Sequence, residues 1–230
     1  MSVRLEPFIN NRIYHIFNKT IDHREIFTDT VNCKKFLSII TYYRSNKAKI
    51  SFSKLPSLDR IYVSTYEKEI QLHKYFRIEI LAYCLMPTHF HLLIKQVTDK
   101  GISRYIADIL NSFTKYFNIK YERIGPIFLP NFKAVKINNE SQFMHAGRYV
   151  HLNPYSSGLC KSYKELENYQ WSSLKAYICD SKEDFVYQKD LMDLFNKNKD
   201  RYKRFVLSNA EHQKTLETVK YAKNWIEDER

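Results

Sequence analysis

The chain has 230 residues, with 37 Lys and Arg against 25 Asp and Glu, giving a formal charge of +12. Its 44% hydrophobic and 27% charged residues are those of an ordinary globular chain, which excludes wholesale disorder. No run approaches the roughly 20 apolar residues of a membrane-spanning helix, which excludes that class too.

Arg12–Phe17 is rich in β-branched and aromatic residues and predicts a strand. Asp29 or Thr30 can cap a following helix, in which Val31, Phe36, Leu37, Ile39 and Ile40 fall near helical spacing. The stretch from Ser45 to Lys74 is broken by Pro56, and Ile61–Val63 reads as a short strand. Two strong strand patterns follow, Arg77–Leu85 and His89–Lys95, and so short a connection between them suits an antiparallel pair. Ile102, Ile106, Ile109, Leu110, Phe113 and Phe117 form the apolar stripe of a helix from about Ile102 to Tyr121. Phe132–Ile137 predicts another strand. Asn139, with Gln142 three residues on, caps a helix expected to end near Asn153, because Pro154 disfavours helical geometry before it. Beyond about Leu159 the chain reads as helical and polar, anchored by Leu191, Leu194, Phe195, Tyr202 and Phe205.

The order β-α-β-β-α-β-α predicts an α+β, ferredoxin-like architecture: a mainly antiparallel sheet with helices on its faces. Residues 1–158 would form that domain and 159–230 a helical C-terminal extension. Met1–Pro7 has a basic residue but no apolar core behind it, so the expectation is a cytoplasmic chain without a signal peptide. Cys33, Cys84, Cys160 and Cys179 are far apart and form no Cys-x-x-Cys pair; four buried, reduced thiols are expected. The basic surplus favours a polyanionic partner. That inference is discounted because Lys outnumbers Arg two to one in a chain also rich in Asn, Ile and Tyr, the profile of an A/T-rich genome.

Two places can carry chemistry. His89 and His91 sit two apart on a strand, so both imidazoles project from one face and can offer two nitrogens to one divalent ion, while Phe90 faces the other way. An isolated His-x-His is also compatible with two half-exposed surface residues. On the helix after Asn139, Phe143, Ala146, Gly147 and Val150 share a buried face, while His145, Tyr149 and Asn153 form a separate polar stripe four apart. Tyr149 is then a phenol presented at a surface, or simply one of eighteen tyrosines.

The string Ala82–Ile94, AYCLMPTHFHLLI, resembles the signature of HUH single-tyrosine transposases, especially the REP-associated group. Three later strings stand at that family's spacing. They are Tyr116–Asn118 with Gly125, Phe128 and Phe132–Lys133; Arg148–Pro154 with Gly158–Leu159; and Tyr169–Ser173. Tyr14–Ile16, Ile26–Phe27 and Leu191–Phe205 fit as well, so the likeness covers most of the chain.

The resemblance implies an HUH endonuclease fold in which His89, His91 and Asn153 bind Mg²⁺ or Mn²⁺ and Tyr149 is the nucleophile. The implied reaction is cleavage and rejoining of single-stranded DNA near a hairpin or palindromic element, through a covalent 5′-phosphotyrosine. A phenol with an ordinary pKa near 10 needs help in losing its proton; His145 and His151 are candidates for that transfer, and Arg148 for a substrate contact. The basic stretch Asn196–Lys223 is a candidate DNA clamp. Asn18–Lys19, Thr88, Asn131 and Ser156 depart from the family pattern, the last two where Arg is usual, which puts DNA specificity in doubt more than chemistry. A domesticated hairpin- or single-strand-binding protein with little cleavage is the alternative, and a hydrolase in which Tyr149 merely positions substrate is a third reading. Whether the chain works as a homodimer is open.

Overall fold

A computed structural model of the chain describes residues 7–180 and 185–215. Its strands are β1 (Ile13–Lys19), β2 (Ile78–Met86), β3 (His89–Gln96) and β4 (Lys133–Ile137). They form one antiparallel sheet in the order β2-β3-β1-β4, so the His-x-His strand lies in its interior. This is the α+β architecture the sequence predicts.

The main helices are α1 (Thr30–Tyr42), α2 (Arg60–Ile70), α3 (Gly101–Lys120) and α4 (Glu140–Ser156). Asp29 caps α1, its carboxylate accepting from Val31 N at 2.7 Å. α1 and α3 cover one face of the sheet, where Phe36 meets Phe90 and Phe113 at ring separations of 5.1 Å each. α4 lies across the other face. Alternation along β3 therefore decides the division of labour: Phe90 goes to the core and His91, its neighbour, to α4.

Two elements differ from the sequence reading. Ile61–Val63 is not a strand but the start of α2. Asp59 nucleates that helix by accepting from both Ile61 N and Tyr62 N at 3.0 Å. Ile61 is 79% exposed, so its β-branched, apolar character reflects no sheet packing. α4 does not stop at Asn153 either; it runs to Ser156 with Pro154 inside. The proline removes a single donor near the last turn, and Ser157 N still reaches Asn153 O at 3.0 Å. Every residue from 150 to 156 is buried, and that packing outweighs the local bias against helix before proline. At the other end Asn139 accepts from Gln142 N as expected, but Gln142 reaches back to Asn138 N rather than to the cap's own amide.

Residues after 158 pack against this core through α5 (Tyr163–Glu167), α6 (Leu174–Ile178), α7 (Lys189–Asp193) and α8 (Lys199–Leu207). They cover the outer edge of β2. Leu85 N donates to Trp171 O at 2.8 Å, Ser173 N to Tyr83 O at 3.0 Å and Tyr187 N to Ile80 O at 2.7 Å. That is why all nine residues of β2 are buried although the strand ends the sheet. Gly147 admits the close approach of α7: a Cβ there would stand 2.7 Å from Leu191 Cδ2. Leu191, Phe195 and Tyr202 are buried anchors, as expected, whereas Leu194 and Phe205 are partly buried.

Cys33, Cys84 and Cys160 are buried thiols, but Cys179, at the end of α6, is exposed. The basic stretch Asn196–Lys223 runs beyond the described residues. Within them, Lys197, Lys199 and Lys203 pair with Asp193, Asp180 and Glu167. Among the described residues no helix is long and apolar enough to cross a membrane.

Candidate functional site

The site forms where β1, β3 and α4 meet. His89 opens β3 half-buried, and His91 is 4% exposed on the same face. The register sets Phe17 of β1 opposite His91 and Lys19 opposite His89. Two residues back on β1, His15 falls on the same face, and its Nε2 lies 2.9 Å from His91 Nδ1. Thr88 Oγ1, in the tight β2–β3 turn, lies 3.0 Å from His89 Nδ1. The turn is itself tied down: Thr88 O accepts from Thr20 N at 2.8 Å, and Pro87 O accepts from Ile26 N at 3.0 Å.

α4 brings Tyr149 over this surface. Its ring centre is 5.7 Å from that of His91 and 5.5 Å from that of His15, edge-on to both. Asn153, one turn later, donates from Nδ2 to Tyr149 O at 2.8 Å, so Oδ1 is the atom of that amide available to a cation. His89, His91, Tyr149 and Asn153 all line one cleft of about 650 Å³. Its remaining wall includes Phe17, Leu129 and Phe132, with Lys19 and Lys133 exposed at the rim. Asn131 and Ser156 line it too; the Ser156 hydroxyl is turned back to Leu152 O at 3.1 Å.

His15 was not singled out from the sequence. The strand pattern Tyr14-His15-Ile16-Phe17 already put it on the face of Phe17. What no local pattern contains is that β1 pairs with β3 in the register that brings it to His91. Desolvation by the packed rings around it pushes its pKa down to about 4, so at neutral pH it is an uncharged imidazole.

The other candidates lie elsewhere. His145 is exposed and 2.7 Å from Arg148, in a second hollow of about 560 Å³ that is also lined by His15 and shares Val135 and Tyr149 with the cleft. His151 is on the far side of α4, fully buried, with Nδ1 2.7 Å from Tyr202 OH and Nε2 2.8 Å from Ser173 Oγ. Burial drives its pKa down to about 3. It lines neither hollow and is a link between α4 and the C-terminal extension, not a proton carrier for Tyr149.

Residues 58–153 match the family model described as transposase IS200 like. Over this segment the chain is similar to the IS200-like transposase family. The segment runs from α2 into α4 and holds His89, His91, Tyr149 and Asn153, whereas β1 with His15 precedes it. The resemblance read from the sequence motifs therefore holds. Among solved structures, a REP-associated tyrosine transposase bound to a REP hairpin superimposes with a TM-score of 0.54 at 16% identity, over 81% of this chain and 92% of that one. It supports the fold. A candidate transposase from Deinococcus radiodurans R1 gives a TM-score of 0.36 at 11% identity, over 63% of this chain and 92% of that one. No curated protein sequence matches the chain.

The transposase-like cleft can be tested for its fit to a divalent cation. Among the described residues no three His, Cys, Asp or Glu side chains cluster for metal binding, so a closed, fully liganded site is not built here. Two imidazoles and one neutral amide are instead a partial set. They leave positions for phosphate oxygens and water and do not neutralise the ion, which fits a catalytic site for Mg²⁺ or Mn²⁺. With both Nδ1 atoms engaged by His15 and Thr88, coordination by either histidine would pass through Nε2.

Proposed function

We propose that the chain is a single-strand DNA endonuclease and strand transferase, with Tyr149 as its nucleophile. The observation that carries the reading is the placement of the Tyr149 ring beside His91, in a cleft that also holds His89 and Asn153. In this arrangement Tyr149 stands over the histidines of its own chain.

His89, His91 and Asn153 would hold a divalent cation. Bound there, the ion draws charge from a non-bridging phosphate oxygen, the main obstacle to attack on a phosphodiester. Tyr149 Oη attacks phosphorus in line, the bond from phosphorus to the 3′-oxygen breaks, and the phenolic proton is balanced by the proton gained on the leaving 3′-hydroxyl. The product is a 5′-phosphotyrosine that keeps the ester's energy, so a second 3′-hydroxyl can reverse the step and join a new strand without ATP. Phe17, Leu129 and Phe132 give unpaired bases an apolar wall, and Lys19 and Lys133 meet the backbone at the rim. The substrate is single-stranded DNA beside a hairpin or palindromic element, a class that agrees with the REP hairpin bound by the structural neighbour.

The test is labelled single-stranded DNA carrying a hairpin, incubated with and without Mg²⁺ or Mn²⁺ and run on a denaturing gel. A metal-dependent protein-linked band, absent in Tyr149→Phe, is expected. Cleavage without attached protein would replace this reading with hydrolysis. Salt-sensitive binding without cleavage would leave a DNA-binding protein.

A further inference from the structure

His15 is in direct contact with the histidine pair, and the reaction above does not use it. Its Nε2 is 2.9 Å from His91 Nδ1, the ring centres are 5.1 Å apart and the ring planes differ by 17°. Face-to-face stacking would not give this combination. A centre-to-centre distance that equals the hydrogen bond plus one ring radius at either end means that the rings are nearly coplanar and meet edge to edge. The two nitrogen lone-pair directions then lie along one line, leaving no room between them for an ion. One proton lies between the two nitrogens, and the nitrogen that carries it decides what His91 can do. If His15 donates, His91 carries its own proton on Nε2 and cannot ligate through that atom. If His91 donates, its Nε2 has the lone pair that coordination requires.

We infer that His15 is a positioning residue: by accepting a hydrogen bond at Nε2 it holds His91 as the Nδ1–H tautomer, with Nε2 ready for the divalent cation. The inference rests on the reading of His89 and His91 as metal ligands and deepens it. A metal-ligating imidazole generally donates its other N–H to a fixed acceptor, and loss of that acceptor typically weakens metal affinity 10- to 100-fold. Here the acceptor is a neutral ring where a carboxylate or carbonyl oxygen is more usual. It adds no charge to the site and leaves the cation's full positive charge for phosphate. His15 is held in place by β1, which pairs with β3 on one side and β4 on the other. Phe17 flanks it on the same strand at a ring separation of 5.3 Å.

The experiment is long-range ¹H–¹⁵N NMR of the full, metal-free chain labelled at histidine, with His91 assigned by loss of its signals in His91→Gln. Wild type is expected to show His91 protonated at Nδ1. His15→Leu should shift His91 toward the Nε2–H form and weaken Mn²⁺ binding, measured by electron paramagnetic resonance, 10- to 100-fold. His15→Gln, whose amide oxygen can accept, should restore most of both. A wild-type His91 protonated at Nε2 overturns the inference, with or without folded variants. So does a Mg²⁺ titration that moves the His15 nitrogens as a direct ligand's would move. If His91 is the Nδ1–H tautomer but Mn²⁺ does not bind wild type, the metal reading fails and the tautomer assignment stands.

Discussion

His151 offers a quantitative test of how the C-terminal extension is joined to α4. The imidazole is buried between α4, Ser173 and Tyr202 of α8, with Tyr177 and Tyr202 packed on its ring at 5.0 and 5.8 Å. Its hydrogen-bond partners are hydroxyls, which carry no charge to offset a proton. Burial accordingly lowers its pKa from 6.5 to about 3. Between those two values the unfolded chain binds a proton that the folded chain refuses. This contribution to stability is therefore fully present above pH 6.5 and is lost as pH falls toward 3. At about 1.36 kcal/mol per pH unit, the loss is about 2 kcal/mol by pH 5 and about 3 kcal/mol by pH 4. His15, lowered to about 4, adds a loss of the same sign, so the His151 share must be isolated by difference. Urea unfolding of wild type and His151→Gln at pH 7.5, 5 and 4 does this. The variant starts less stable, because it replaces a ring that bridges Tyr202 and Ser173, but its acid slope should be shallower by about 2 kcal/mol over pH 7.5 to 5. Equal slopes, or a wild type that gains stability on acidification, would refute the assignment of His151 as a neutral structural link.

The two sides of β3 predict opposite outcomes at adjacent positions. Phe90→Ala removes a fully buried ring packed on Phe36 and Phe128 and should cost about 3–5 kcal/mol in chemical denaturation. His89→Ala, on the half-buried cleft face, should cost under about 1 kcal/mol while abolishing the protein-linked DNA band; a reversed pattern would mean the strand faces are misread. Asp29 caps α1 and contacts Lys120 Nζ at 2.6 Å and Tyr121 OH at 3.0 Å, and those hydrogen bonds hold its carboxyl at about 2. Asp29→Ala should cost about 1 kcal/mol at pH 7, since the partly exposed ion pair adds little to the cap. The difference from wild type should shrink as pH falls from about 4 through 2, because a depressed carboxylate stabilises above its unfolded pKa and stops doing so as it is protonated.

What could be read in the sequence is what rests on local periodicity. The alternation of His89, Phe90 and His91 separates cleft from core without any knowledge of partners, and the stripe from Ile102 to Phe117 specifies which side of α3 is buried. The mistakes come where tertiary packing overrules a local preference. Asn153 keeps helical geometry before Pro154 because burial of the last turn of α4 outweighs a modest backbone bias. Ile61 and Val63 look like strand residues, but Asp59 caps them into a helix and Ile61 remains in solvent. His151 shows a signal that was present and underused. Two residues along a helix is a rotation of about 200°, so a residue at that spacing from Tyr149 had to face away from it.

His15 is a different case, because its place in the site depends on strand pairing. Its proximity to His91 follows from β1 lying beside β3 in the register that sets Phe17 against His91. A slip of one residue would turn His15 to the opposite face, among Phe36, Phe90 and Phe113. That register is fixed from the core side: Ile16 and Leu92, directly paired, are both fully buried beneath α1 and α3. The apolar face of the sheet thus selects the alignment that assembles the polar face. The histidine contact is obtained from core packing rather than from any attraction between the histidines themselves. On that argument, substitutions that enlarge or shrink Ile16 or Leu92 should disturb His91 through the sheet, although neither residue touches the cleft.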